Sequence, residues 1–224
     1  MISMKKLGNS SNDNGRERNT NRPGKQRPLV EEPFRRRISR LIEALGDLNN
    51  LKRGEAASTL LMMEHDGITP ALIEAIDSRN NRVQAAATII LGMRHEDSAV
   101  PALCKALENN DFDLFKKDIA WALGEIRNTS AVPALVEAFT NVDPDVSEAA
   151  CDALVKMGRE VVPLVAEQLK SRDWSVQVCA AEALGRIGDE SAVPALLEAS
   201  NDKNEMVAVS ALGAADEIRR KKGE

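Results

Sequence analysis

Residues 191–218, SAVPALLEASNDKNEMVAVSALGAADEI, form a unit that the chain repeats. GDESAVPALLEA at Gly188–Ala199 matches RNTSAVPALVEA at Arg127–Ala138 and HEDSAVPALCKA at His95–Ala106. Fainter copies read REVVPLVAEQ at Arg159–Gln168 and DGITPALIEA at Asp66–Ala75. The shared prolines, Pro70, Pro101, Pro133, Pro163 and Pro194, are spaced 31, 32, 30 and 31 residues apart. A fixed period of this length marks a chain that grows by stacking like units, each burying its apolar side against the next.

Each unit predicts two helices. The first is expected to open at Ser98, Ser130 or Ser191, whose hydroxyl would accept an orphan backbone N–H. The proline three residues on then falls in the first turn, where its missing N–H costs nothing. Asn80, Asp111, Asp143, Asp173 and Asn204 are placed to cap the second helix. That helix carries an apolar stripe beginning at Val83, Phe115, Val146, Val176 or Val207. In the fifth unit Val176, Cys179, Ala180, Ala183 and Leu184 fall at i, i+3, i+4, i+7 and i+8, which is one helical face. Gly92, Gly124 and Gly185 are read as left-handed closures of the second helix. The predicted architecture is an all-α superhelical solenoid of about six helix pairs, with units at 33–66, 67–97, 98–129, 130–159, 160–190 and 191–220.

Composition agrees. Ala and Leu carry the packing, Tyr is absent and aromatics make up 3% of the 224 residues, which favours closely packed helices over sheet. Three cysteines without a CxxC pair argue against a disulfide framework or a zinc site and for a reducing setting. No apolar run approaches the roughly 20 residues of a membrane span, so a cytoplasmic chain is expected. Residues 1–32 differ from the rest. Residues 1–30 hold seven basic and two acidic side chains, a net of +5, while the remaining 194 carry 23 basic and 33 acidic, a net of −10. A segment so poor in apolar residues cannot offset its ordering entropy, and a disordered basic tail is expected. It is either a solvated leader or an arm making weak contact with an anionic partner.

The segments Asp173–Leu184 (DWSVQVCAAEAL) and Gly185–Leu196 (GRIGDESAVPAL), with their earlier copies, resemble the HEAT-like repeat named after the phycobilisome (bilin) lyases. The resemblance spans about Arg37 to Arg219. It implies a right-handed superhelix of antiparallel pairs, with first helices on the convex side and second helices on the concave side. It also implies a bilin lyase-like or chaperone-like accessory function as one alternative.

The candidate site is therefore the concave face. One residue after the valine stand Arg53, Gln84, Lys116 and Gln177. Two after it come Lys117 and Glu148, and six after it Ile89, Trp121, Asp152 and Glu182. Trp121 has two readings: an exposed aromatic anchor beside charges, or a filler between adjacent second helices. Trp174 is expected to cover the edge of a neighbouring repeat, and Cys151 to lie accessible near the groove. Asp152 and Glu182 form a carboxylate pair on adjacent repeats, either a solvated acidic face or an acid–base pair. In deoxyhypusine hydroxylase, a relative in this repeat class, His-Glu pairs inside the second helix bind iron. The matching positions here, such as Lys117-Asp118 and Val178-Cys179, hold no histidine. His95-Glu96 instead aligns with the loop residues Gly188-Asp189. No catalytic residue, metal or cofactor is expected. The leading expectation is a non-enzymatic scaffold that binds another protein, and nucleic-acid binding through the tail is a lesser one.

Overall fold

The computed structural model describes residues 31–109 and 113–223. The expected tail through residue 30 and the expected cap Asp111 lie outside them. The described residues form twelve α-helices in six consecutive pairs and no strand. The pairs are α1 (Glu31–Ala44) with α2 (Asn50–Met62), α3 (Ile68–Ala75) with α4 (Asn81–Met93), and α5 (Val100–Asn109) with α6 (Asp113–Ile126). They continue with α7 (Val132–Glu137) and α8 (Pro144–Met157), α9 (Val162–Glu167) and α10 (Trp174–Ile187), and α11 (Val193–Ala199) and α12 (Glu205–Lys222). The second helices α4, α6, α8, α10 and α12 pack in series as one layer, with the first helices as the other. Helix α1 begins at Glu31, two residues before the expected unit boundary.

The valine-like positions make the interior. Val83, Phe115, Val146, Val176 and Val207 are all buried, as are the leucines one turn deeper in the first helices, Leu72, Leu103, Leu135 and Leu196. Asn80, Asp143, Asp173 and Asn204 cap the second helices, accepting from the amides of Arg82, Asp145, Ser175 and Met206 at 2.9–3.0 Å. Asn49 does the same for α2.

Two local expectations are corrected. The serines do not cap the first helices. A single 3-10 turn precedes those helices, and ahead of α7 and α11 the residue before that turn is the acceptor. Asn128 Oδ1 takes the amide and hydroxyl of Ser130 at 3.0 and 2.7 Å, and Asp189 Oδ1 takes those of Ser191 at 2.9 and 2.6 Å. The glycines Gly92, Gly124 and Gly185 lie inside their helices and do not terminate them. The left-handed residues sit further on, at His95, Arg127, Gly158 and Gly188.

The helical glycines set the spacing between repeats. A Cβ on Gly92 would stand 2.9 Å from the Cα of Ala122, one on Gly124 2.8 Å from that of Ala153, and one on Gly185 3.0 Å from that of Ala214. Each glycine thus admits the backbone of the next second helix. Where the same register holds Leu61 or Val155, the pairs α2–α4 and α8–α10 meet along less of their length. Second helices meet their successors over more of their length than first helices do. The second-helix layer is the one that the repeat resemblance implies on the concave side.

Candidate partner-binding face

The face can be derived from helix geometry. At about 100° per residue, positions 2, 6 and 10 after the valine cluster on one side of the second helix, roughly 240° round from it. Position 1 lies only about 100° round, toward the C-terminal end of the helix before. The structure sorts the expected residues accordingly.

The position-1 residues are engaged near the first helices. Gln177 is buried, and its amide donates to Leu169 O at 2.8 Å. Gln84 donates to Ile76 O at 2.9 Å, and Arg53 to Asp47 O at 2.8 Å and Leu48 O at 3.2 Å. Each ties down the carbonyl end of the first helix, or of the turn after it, in its own repeat. Lys116 belongs to the same row and lines a groove against Glu137 and Thr140 of the neighbouring unit. Arg53, Gln84 and Gln177 are thus engaged within their own repeats.

Several charged residues at positions 2, 6 and 10 are joined between successive second helices. Lys117 on α6 meets Asp145 on α8 at 2.8 Å, and that hydrogen bond raises the lysine pKa. Glu125 on α6 pairs with Lys156 on α8. Asp152 on α8 meets Arg186 on α10 at 2.5 Å, and Glu182 approaches the same guanidinium at 3.8 Å. Arg186 therefore stands between the two carboxylates that sequence offered as an acid–base pair, and it pairs with both. Glu148 is exposed on α8. Cys151 is a correction: it is buried, its thiol is pushed up to about 12 by that burial, and Arg186 lies over it at 3.5 Å.

An apolar strip is left at one end of the face. Trp121 is 39% exposed, and its indole edge rests on Gly92 while the Lys156 ammonium stands 5.9 Å from the ring centroid. One edge packs between α4 and α6, as the filler reading expects, and the rest of the ring faces out. In register with it stand Ile89, half-buried, and Met93, 50% exposed, on α4, then Met62, 79% exposed, on α2. The two methionines were missed in the sequence reading. Position 10, one turn beyond position 6, was the signal for them. Trp174, expected to cover a repeat edge, leaves half its surface open at the start of α10.

His95 takes a left-handed conformation in the register of Gly188, and its Nδ1 bonds Glu125 O at 2.7 Å. It serves as an inter-repeat fastener. His65 stacks on Phe34 at 4.9 Å at the far end of the chain. Among the described residues no cluster of three or more His, Cys, Asp or Glu gathers as metal ligands, and no helix is long and apolar enough to cross a membrane.

A family model for HEAT repeats matches residues 38–123, 100–162 and 143–216. No curated protein matches the chain. Among solved structures, the complex of CpcE and CpcF of phycocyanin lyase from Nostoc sp. PCC7120 is similar at 22% identity, covering 79% of this chain and 75% of that one, with a TM-score of 0.47. Human deoxyhypusine hydroxylase in complex with glycerol is similar at 16%, over 86% and 99%, with a TM-score of 0.45. A designed armadillo repeat protein in complex with the peptide (KR)4 is similar at 16%, over 81% and 99%, with a TM-score of 0.44. At these identities the likeness is one of fold alone.

Proposed function

The chain belongs to the HEAT-repeat family, and from that premise we propose that it is a non-enzymatic scaffold whose concave face binds another protein. The observation that carries this reading is the contrast within the face. Its charged residues are largely spent on one another, whereas Met62, Ile89, Met93 and Trp121 present apolar surface that no other element covers among the described residues. Methionine adapts to irregular apolar surfaces and tryptophan anchors them. A partner helix or extended segment with apolar residues along one side fits such a strip. The paired charges, with exposed Glu148, would then form its polar rim.

The double substitution Met93→Ser and Trp121→Ala tests the reading by affinity purification from the native cell followed by mass spectrometry. Proteins retained by the parent chain are expected to be lost, with the helical circular dichroism unchanged. Capture of the same proteins by the variant would remove the concave face from the account. The bilin-lyase alternative has its support in the repeat sequence, and an absorbance change on mixing with free bilin would be its signature.

A further inference from the structure

We propose that α12 pairs with α12 of a second copy of this chain, antiparallel about a twofold axis at Leu212, at the opposite end of the stack from the strip at Met62 and Trp121. In the earlier second helices the side that meets the next helix is built small. Five residues after the valine-like position stand Thr88, Ala120, Cys151 and Ala181, all buried, and nine after it stand Gly92, Gly124, Val155 and Gly185. In α12 the same two positions hold Leu212, 48% exposed, and exposed Asp216. Val209 and Met206, beside them, are 64% and 60% exposed. No other element covers these side chains among the described residues.

A copy stacked head to tail does not fit this surface. Between successive second helices the residue nine after the valine meets the one seven after it in the next helix, as Gly185 meets Ala214. One turn earlier, position five therefore meets position three. In α2 the valine place is held by Lys52, so a following copy in that register would bring Glu55 onto Leu212 and Thr59 onto Asp216. That buries a carboxylate against a leucine. Neither Leu212 nor Asp216 leaves the room for a neighbouring backbone that glycine leaves in α4, α6 and α10.

The charges on α12 select an antiparallel mate. Leu212 lies seven residues after Glu205 and seven before Arg219, which is two helical turns either way. With two copies of the helix running in opposite directions and Leu212 on the axis, each Glu205 faces Arg219 of the other copy. Glu205 and Arg219 are exposed and join no ion pair among the described residues. A twofold arrangement makes both contacts at once, and it lays Val209 beside Leu212 of the other copy. A parallel pairing would set acid on acid and base on base. Apolar side chains at the centre with opposite charges at the two ends fix both register and direction. One pair of 18-residue helices is a small interface, so dissociation on the order of micromolar concentration is expected.

The test is sedimentation velocity of the full chain from about 1 to 200 µM. A monomer–dimer equilibrium with nothing larger is expected. Leu212→Glu should weaken it by about tenfold or more with unchanged circular dichroism. Glu205→Arg alone, and R219E/R220E alone, should each weaken it similarly, because like charges then face each other twice. An equimolar mixture of those two variants should dimerise as the parent does, since one charge contact is reversed and the other is native. The Met93→Ser and Trp121→Ala variant should also dimerise as the parent does, which keeps this interface distinct from the concave strip. A monomer at every concentration, assemblies beyond the dimer, a dimer indifferent to Leu212→Glu, or a mixture no better associated than its components would overturn the proposal. So would loss of the dimer in the Met93→Ser and Trp121→Ala variant.

Discussion

Thr88 is fully buried in α4, and its hydroxyl finds no hydrogen-bond partner among the described residues. An unsatisfied donor in an apolar interior is a standing cost, and valine has nearly the same shape. Thr88→Val is expected to raise the unfolding free energy by about 1 kcal/mol, read from urea denaturation at constant slope. The capping aspartates give a second residue-scale expectation. Hydrogen bonds from Ser175 to Asp173 and from Ser191 to Asp189 hold both carboxyls below their ordinary pKa. Their contribution is complete above the unfolded carboxylate pKa of about 4 and is lost as pH falls through the lower folded value. Asn128 occupies the same structural place without titrating. The double variant Asp173→Asn and Asp189→Asn should therefore keep its caps and show a shallower loss of stability below about pH 4. An unchanged acid limb would mean that other groups set it. Burial also raises the Cys151 thiol, so alkylation of the folded protein at neutral pH should be far slower there than after unfolding.

At the scale of elements, two helical glycines with the same backbone preference should respond oppositely to one methyl group. A Cβ on Gly124 in α6 would enter the backbone of Ala153 at 2.8 Å, whereas one on Gly213 in α12 meets nothing within 4 Å. Gly124→Ala is expected to cost about 1–3 kcal/mol through overpacking. Gly213→Ala should gain up to about 1 kcal/mol through helix propensity. Thermal unfolding of the two variants side by side checks both signs. If both were stabilised, the close approach of α6 and α8 would not be what the glycine serves. This distinction was only partly legible in the sequence. The recurrence of glycine at one register was plain, but a glycine near a helix end reads equally as a left-handed cap and as a point of close approach. The neighbouring helix that decides between them lies about thirty residues away.

The whole molecule is a one-dimensional stack, so its stability divides among interfaces between neighbours. The α2–α4 interface lacks the glycine contact and is fastened by Arg94. That guanidinium donates to the carbonyls of Leu60, Leu61 and Met63 at 3.1–3.2 Å and meets Glu96 at 3.0 Å. Arg94→Ala is expected to cost about 2 kcal/mol, because it strands carbonyls at a helix end. Hydrogen exchange should show α1 and α2 opening before the other helices. Uniform loss of protection along the chain would show that the first pair is not a separable unit. Release of this pair would also displace Met62 from Met93, so the variant should lose the partner that Met93→Ser and Trp121→Ala lose.

The sequence alone determined the architecture: twelve helices in six pairs, the buried valine register, the asparagine and aspartate caps and the proline first turns. Those features are local, since period, capping chemistry and amphipathic spacing are written within about thirty residues and recur often enough to be read against one another. Only the tertiary structure decided which outward-looking residues are available. Gln84 and Gln177 were absorbed by carbonyls of their own repeat, Asp152 and Glu182 by an arginine on α10, and Cys151 by the same arginine above it. Periodicity gives the direction of a side chain from its helix axis. What that side chain meets depends on how closely the next helix approaches, which here rests on whether the facing residue is glycine, valine or leucine.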